Sequence, residues 1–380
     1  MTNKLFYKDG YRKEFTARVI SCEETKKGFA IVLDQTAFFP EGGGQYGDLG
    51  YLDSVKVIDT REKGGLVYHY TKEALEVGMQ VKGHLDWQVR FDRMQQHSGE
   101  HIISGIVHKR YGYDNVGFHL ADEYCTIDFN GPITMEALKE IEEEANKVVF
   151  ENLPIHILYP SKEELKDLEY RSKIEIEGQV RIVEIPGVDI CACCAPHTAT
   201  TGEIGLIKLV RMDNYKGGER IYMLSGMRAL KNYQIKEESV RAISSTLCAK
   251  EEEVALAVEK LKEDQTSLKN EIASLKQKLL SYRAAEISIE DPVTLIFDSE
   301  LSGNEPREFM NLLLEKGAKV CGIFAGDDEK GYRYVVGSRK EDVRPYGERL
   351  KSLGGRGGGK SEMIQGSIQA GAKTLKSLFL

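Results

Sequence analysis

The sequence contains no run approaching the roughly 20 apolar residues that cross a bilayer, which excludes a helical membrane span. Met1 to Gly10 lacks an apolar h-region, so no secretory signal is expected. Cysteine is sparse and odd in number. Seven cysteines without a signal peptide point to reduced thiols and a cytoplasmic protein. Positive charge is in deficit, with 52 Lys and Arg against 60 Asp and Glu and a net charge of −8, and charge alone argues against a nucleic-acid binder. The deficit is uneven. From Lys330 to Leu380 there are 11 basic against 4 acidic residues, and a basic end on an acidic chain suits an anionic partner. At 380 residues, 41% of them hydrophobic, the chain is long enough for two or three domains with apolar cores.

Residues 1 to about 88 read as short strands separated by glycine, among them Phe29 to Leu33 and Tyr51 to Ile58. From Asp92 the pattern turns helical, with Met94, His97, His101, Ile102 and Val107 near a 3.6-residue period. Thr126 to Phe129 is strand-like and Met135 to Glu151 an amphipathic helix. Val180 to Ile185 and Gly205 to Val210 are strands on either side of a Cys/His cluster. Val240, Leu247, Val254, Leu261, Leu268, Leu275 and Tyr282 recur every seven residues. The positions four later are mixed, with Val258, Ile272 and Leu279 but also Glu251 and Gln265. With no Gly or Pro between 236 and 287, one long helix is expected, in a coiled coil or packed on a neighbouring domain. After Pro292 an α/β unit follows: strand 293–297, helix 305–316 and strand 320–324. It ends in the glycine run Gly354 to Ser361.

His97 and His101 stand at i and i+4, on one helix face, so both imidazoles can reach one metal ion. Downstream, Cys191, Cys193, Cys194 and His197 are compact enough to supply two more donors, and four N/S ligands suit tetrahedral zinc. On their own the cysteines would equally be a redox or buried thiol cluster, and three of them compete for one ligand position. His97, Glu100 and His101 also spell the inverted zincin pattern, a metallopeptidase with Glu100 as general base. That pattern expects a third, carboxylate ligand and leaves the Cys/His cluster unused.

The glycine segment Thr36 to Asp48, Arg93 ahead of the His pair, Val116 to His119 with Thr126 to Asp128, the Cys193-x-x-x-His197 pair, Thr201 to Gly205 and Gly218 to Arg220 occur together in order. In these features residues 15 to 235 resemble the editing module of alanyl-tRNA synthetases and its free-standing AlaX relatives. The run Gly354 to Gln365 is similar to the C-terminal domain that those synthetases share with some phosphoesterases. The resemblance selects Cys193, with His97, His101 and His197, as the Zn2+ ligands. It departs from the family at Ser98, Glu100, Ala195 and Pro196. No synthetase catalytic core precedes residue 1, which implies editing in trans.

The fold class expected is α+β: an N-terminal small β-barrel carrying the glycine motif (1–88), a two-layer α/β editing domain with the zinc site (89–235), a long heptad helix (236–288) and a C-terminal tRNA-binding and dimerising α/β domain (289–380). The activity implied is hydrolysis of Ser or Gly from mischarged alanine tRNA, because a pocket sized for alanine rejects its near neighbours by only about 10–200-fold. Gln45 and the weaker companion Thr36 are the candidates for orienting water or the serine hydroxyl. Gly42, Gly43 and Gly44 would bring backbone N–H groups to the acyl group or the terminal phosphate. Arg220, with Arg211, Lys216 and Arg228, would meet acceptor-stem phosphates, and a homodimer is expected from the heptads. Gly354 to Ser361 spells a phosphate-loop sequence, but no buried strand precedes it and 19 residues follow, so ATP is not expected. Besides the metallopeptidase, a non-catalytic tRNA-binding protein with a structural zinc is the alternative.

Overall fold

The computed structural model describes residues 1–172 and 179–379 and divides into two compact units, Met1–Arg241 and Ala242–Leu380. Among the described residues no helix is long and apolar enough to cross a membrane.

In the first unit, alternation of apolar and polar residues builds six antiparallel strands. Gly28–Leu33, Leu66–Thr71, Val55–Lys63, Gly50–Leu52 and Gln80–Leu85 follow one another around Glu14–Thr25, and the last pairs back with it to close a ring. Phe15, Val19, Ile31, Leu33, Phe38, Leu52 and Leu85 fill the interior. The stretch expected as one strand, Tyr51 to Ile58, is instead a hairpin. Asp53 takes a left-handed φ of 51°, which reverses the chain between two strands.

Helix α1 (Trp87–Tyr111) starts five residues before its periodicity becomes visible, because the Asp86 side chain accepts from Val89 N at the N-cap. Gly112, at φ 69°, ends it. The helix is buried on every side from Arg93 to Val107, so its apolar stripe is diluted by polar residues that all find partners. Two glycines allow the close approach. A Cβ on Gly99 would lie 2.5 Å from Ser225 Oγ, and one on Gly105 would lie 2.4 Å from Val188 O. Around α1 stand an antiparallel four-stranded sheet, in the order Ile207–Tyr215, Gly218–Ser225, Cys125–Phe129, Asn115–Leu120, and a three-stranded one, His156–Leu158, Ile182–Ile185, Asp189–Ala192. Helices α2 (Met135–Glu151) and α3 (Glu164–Asp167) also belong to the unit.

One buried ion pair ties α1 to the glycine segment. Arg90, 1% exposed, donates through Nε to Asp48 (2.9 and 3.0 Å) and through Nη2 to Ala37 O (2.7 Å) and Asp48. Asp48 also accepts from Phe39 N at 2.6 Å.

The expected single helix over 236–288 is two. Helix α4 (Gly226–Leu247) ends where Cys248 turns left-handed (φ 50°), and α5 (Val254–Glu286) begins after a short 3-10 turn, Glu251–Glu253. No glycine or proline marks the break. Its physical signal is the triple glutamate, which favours a helix N-terminus through the helix dipole. The last turns of α5 put Leu280 and Ala284 into the core of the second unit. That unit is a five-stranded sheet in the order Val293–Asp298, Val320–Asp327, Gly331–Ser338, Met363–Ile368, Arg356–Lys360, with α6 (Glu305–Lys316) packed on it. The glycine run is the exposed edge strand of this sheet and passes by a turn into its neighbour, whereas a phosphate loop leads into a helix.

Asp48→Ala leaves the Arg90 guanidinium buried and unpaired, and is expected to destabilise the first unit by about 3–5 kcal/mol. Denaturant unfolding followed by the fluorescence of Trp87, the only tryptophan, measures it. A loss below about 1 kcal/mol would contradict the structural role given to the pair.

Candidate metal centre and its cavity

Two stretches of chain, almost a hundred residues apart, meet at one point. His97 and His101 project from one face of α1 with ring centroids 5.5 Å apart. Cys193 and His197 follow the strand Asp189–Ala192. Donor atoms of all four lie within 4.8 Å of one another. Cys193 Sγ is 3.6 Å from His97 Nε2 and 3.4 Å from His197 Nε2. A tetrahedral ion bound at about 2.0–2.3 Å separates its ligand atoms by about 3.3–3.6 Å, so the group has the dimensions of a metal centre. Its completing members are a thiol and a third imidazole. The carboxylate ligand that the metallopeptidase pattern needs is not among them.

Each imidazole is held by its Nδ1. His97 Nδ1 meets Gln45 Oε1 at 3.2 Å, His101 Nδ1 meets Asp189 Oδ2 at 2.9 Å, and His197 Nδ1 meets Ser98 Oγ at 3.0 Å. Gln45 Oε1 and the Asp189 carboxylate can only accept, so those two rings carry the proton on Nδ1 and turn a lone pair on Nε2 toward the centre. Arg171 grips Asp189 in turn, at 2.7 and 2.9 Å. Burial alone would raise the Asp189 carboxyl, but the bonds from His101 and Arg171 outweigh it and hold the group below its usual range. Burial, with His101 and His97 beside it, pushes His197 well below the ordinary imidazole value. Burial pushes the Cys193 thiol up, and Cys194 adds to the shift. A dry thiol among imidazole nitrogens ionises readily only beside a cation, and a divalent metal is such a cation.

His97, His101 and Cys193 line a cavity of about 710 Å³, which Gly43, Gly44, Glu100, Tyr7, Tyr159 and Arg181 also line. Arg181 Nη1 donates to the carbonyls of Cys193 (2.7 Å) and Ala195 (3.0 Å), fixing the ligand loop. Gly43 (φ 62°) and Gly44 (φ 81°) both favour glycine, and Gly44 does so twice over. Their backbone is left-handed, and a Cβ on Gly44 would lie 2.6 Å from Phe118 O. Cys194 lies against this turn, 3.6 Å from where a Gly43 Cβ would be, and Cys191 belongs to an overlapping group with His101 and Asp189.

The structure therefore brings together His97, His101, Cys193 and His197 with Gly43 and Gly44, and keeps Gly42, Thr36 and Arg220 apart. Gln45 lies behind His97, as an anchor for its ring, and is not among the residues that line the cavity. Gly42 exchanges backbone hydrogen bonds with Gln45 in a tight turn, so its N–H is already used. Thr36 is fully buried. Its hydroxyl bonds His69 Nε2 at 2.8 Å, in a histidine that burial pushes down to about 4, and accepts from Phe38 N. Arg220 pairs with Asp128 at 2.6 and 2.7 Å and stacks over Tyr215, away from the cavity lining. Arg228 clasps Asp92 in the same way, while Arg211 stacks on Tyr222 and Lys216 on Tyr215. The anchors Asp189, Ser98 and Arg171 escaped sequence reasoning. Ser98 lies inside the His motif, but nothing local distinguishes Asp189.

Residues 180–222 match the family model of the threonyl and alanyl tRNA synthetase second additional domain, and residues 6–89 match that of the class II (A) tRNA synthetases. The chain is 29% identical to the alanyl-tRNA editing protein AlaX-L of Pyrococcus horikoshii, over 97% of this chain and 95% of that protein. It is 29% identical to the alanyl-tRNA editing protein Aarsd1 of Rattus norvegicus, over 95% and 93%. Against the alanine–tRNA ligase of Ignicoccus hospitalis it is 31% identical over 74% of this chain, which is 32% of the ligase.

Asp189→Asn removes the charge that orients His101 and should weaken metal binding by about 10–100-fold. Competition with a chromophoric chelator measures it. An unchanged affinity would mean that His101 needs no such partner.

Proposed function

We propose that this chain, which resembles the alanyl-tRNA editing proteins over nearly its whole length, is an aminoacyl-tRNA deacylase acting on alanine tRNA mischarged with serine or glycine. The observation that carries the reading is the convergence of His97, His101, Cys193 and His197 into one donor group, of which His97, His101 and Cys193 line a cavity that also receives the Gly43–Gly44 turn. The donor set suits zinc, as the ligand types and spacing favour that ion. Zinc bound there would supply a Lewis acid for the ester carbonyl or for a water molecule provided that one of the four protein donors yields or the ion accepts a fifth partner.

The remaining work belongs to the chain's own groups. An ester of an α-amino acid on a ribose hydroxyl is already labile, so catalysis consists chiefly of placement. Gln45, Asp189 and Ser98 hold the three rings in place, and the first two also fix the tautomers of His97 and His101. Arg181 holds the carbonyls on either side of Cys194, and so the spacing of Cys193 and His197. The glycine turn, without side chains, leaves room for the acyl end of the tRNA beside the centre, and a cavity of about 710 Å³ is within the range of small-ligand sites.

The 1–88 barrel and the 89–235 segment form the editing half in this reading. The basic end, 330–380, meets the tRNA body, and catalysis needs no ATP. Seven free thiols suit a cytoplasmic setting. Along α5, Leu261, Leu268 and Leu275 are 55–57% exposed at seven-residue spacing, which supports pairing with a second copy.

Purified protein should release serine from seryl-tRNA of the alanine type while leaving alanyl-tRNA intact and a peptide substrate uncut. Chelator treatment or Cys193→Ala should lower that rate at least tenfold with the fold retained. Full activity in the metal-free protein would refute the zinc role, and no activity on any mischarged alanine tRNA would refute the deacylase. Sedimentation should give a dimer that the double substitution Leu268→Glu, Leu275→Glu converts to monomer. A monomeric parent would remove the dimer.

A further inference from the structure

Glu100 lies at the centre without a place in it. It is 2% exposed, sits one residue before His101 and lines the cavity. Its Oε1 accepts from Ser104 Oγ at 2.7 Å and from Asn115 Nδ2, and Asn115 Nδ2 also reaches Ser104 Oγ at 3.0 Å, so the carboxylate is fixed in orientation. Its Oε2 stands 3.9 Å from His101 Nε2, the ring nitrogen turned toward the metal group. It is the only carboxylate among the described residues that line the cavity. The arginine there, Arg181, donates to the carbonyls of Cys193 and Ala195.

An aminoacyl ester differs from other esters by its α-ammonium group. The nitrogen lies about 2.5 Å from the ester carbonyl carbon, as the N–Cα and Cα–C bond lengths dictate. A carbonyl seated at the metal group can therefore present its ammonium to an acceptor beside His101 Nε2. Bringing that cation next to a metal centre and an arginine requires a compensating negative charge nearby. Glu100 is the side chain that supplies it.

We infer that Glu100 binds the α-ammonium of the aminoacyl ester and so restricts the substrate class to esters of amino acids with an unblocked amino group. Peptidyl and N-acylated aminoacyl esters are excluded. The inference rests on the deacylase reading. Glu100 here is a binding residue, which separates it from the general-base role of the metallopeptidase pattern.

The test compares seryl-tRNA and N-acetylseryl-tRNA, both on alanine tRNA, with wild-type protein and Glu100→Gln. Glutamine keeps the acceptor for Ser104 and Asn115 and loses the charge. Taken relative to the uncatalysed hydrolysis of each ester, wild type should favour the free-amino substrate at least about tenfold in kcat/KM, the scale of a hydrogen bond to a charged group. In Glu100→Gln that preference should collapse to within about twofold through loss on seryl-tRNA alone, at unchanged metal content and thermal midpoint. Equal loss on both substrates means a general base or a structural brace and overturns the inference, as does no loss on either. If Glu100→Gln fails to fold, the wild-type ratio still decides, since equal relative rates on the two substrates overturn it. A wild type inactive on both contradicts the deacylase reading itself.

Discussion

The structure depends on holding three imidazoles by the nitrogen that does not face the centre. A histidine with both nitrogens free can rotate and change tautomer, and its affinity for a metal is diluted accordingly. Here Gln45, Asp189 and Ser98 each occupy one Nδ1, and the three partners come from three different places: the glycine turn, the strand before the cysteines and α1 itself. The surrounding architecture serves those three contacts. The Arg90–Asp48 pair docks the glycine segment on α1. Gly99 and Gly105 let the sheets approach the helix, and Arg171 neutralises the buried Asp189. Polar groups buried at this density are tolerated because nearly every one is partnered.

Much of this was legible in the sequence, for physical reasons that can be named. The i, i+4 spacing of His97 and His101 puts two donors on one face whatever the tertiary fold. The second ligand pair is close in sequence, so its members had to be neighbours as well. The helices 135–151 and 305–316 lie where periodicity placed them, because their apolar faces meet a sheet. The choice of Cys193 over Cys191 and Cys194 came from a family resemblance and not from spacing, and the geometry groups Cys193 with the three histidines.

What was not legible depends on long-range contacts. Gln45 looked like a catalytic amide because it ends a glycine motif, but its neighbour in space is His97, 52 residues away. Thr36 looked polar and available, yet it closes a hydrogen bond to a histidine inside the barrel wall. Arg220 looked like a phosphate contact, and cross-strand pairing sets it directly opposite Asp128. The break between α4 and α5 was hidden because heptad counting sees hydrophobic period and not backbone φ. A left-handed Cys248 interrupts the helix without disturbing the seven-residue repeat.

The central claim is that one thiolate and three imidazoles, drawn from two distant segments, bind a single ion. X-ray absorption at the zinc edge of the purified protein tests it most directly. One sulfur at about 2.3 Å and three nitrogens at about 2.0–2.1 Å are expected. A first shell of oxygens alone, or one holding two or more sulfurs, would contradict the assignment.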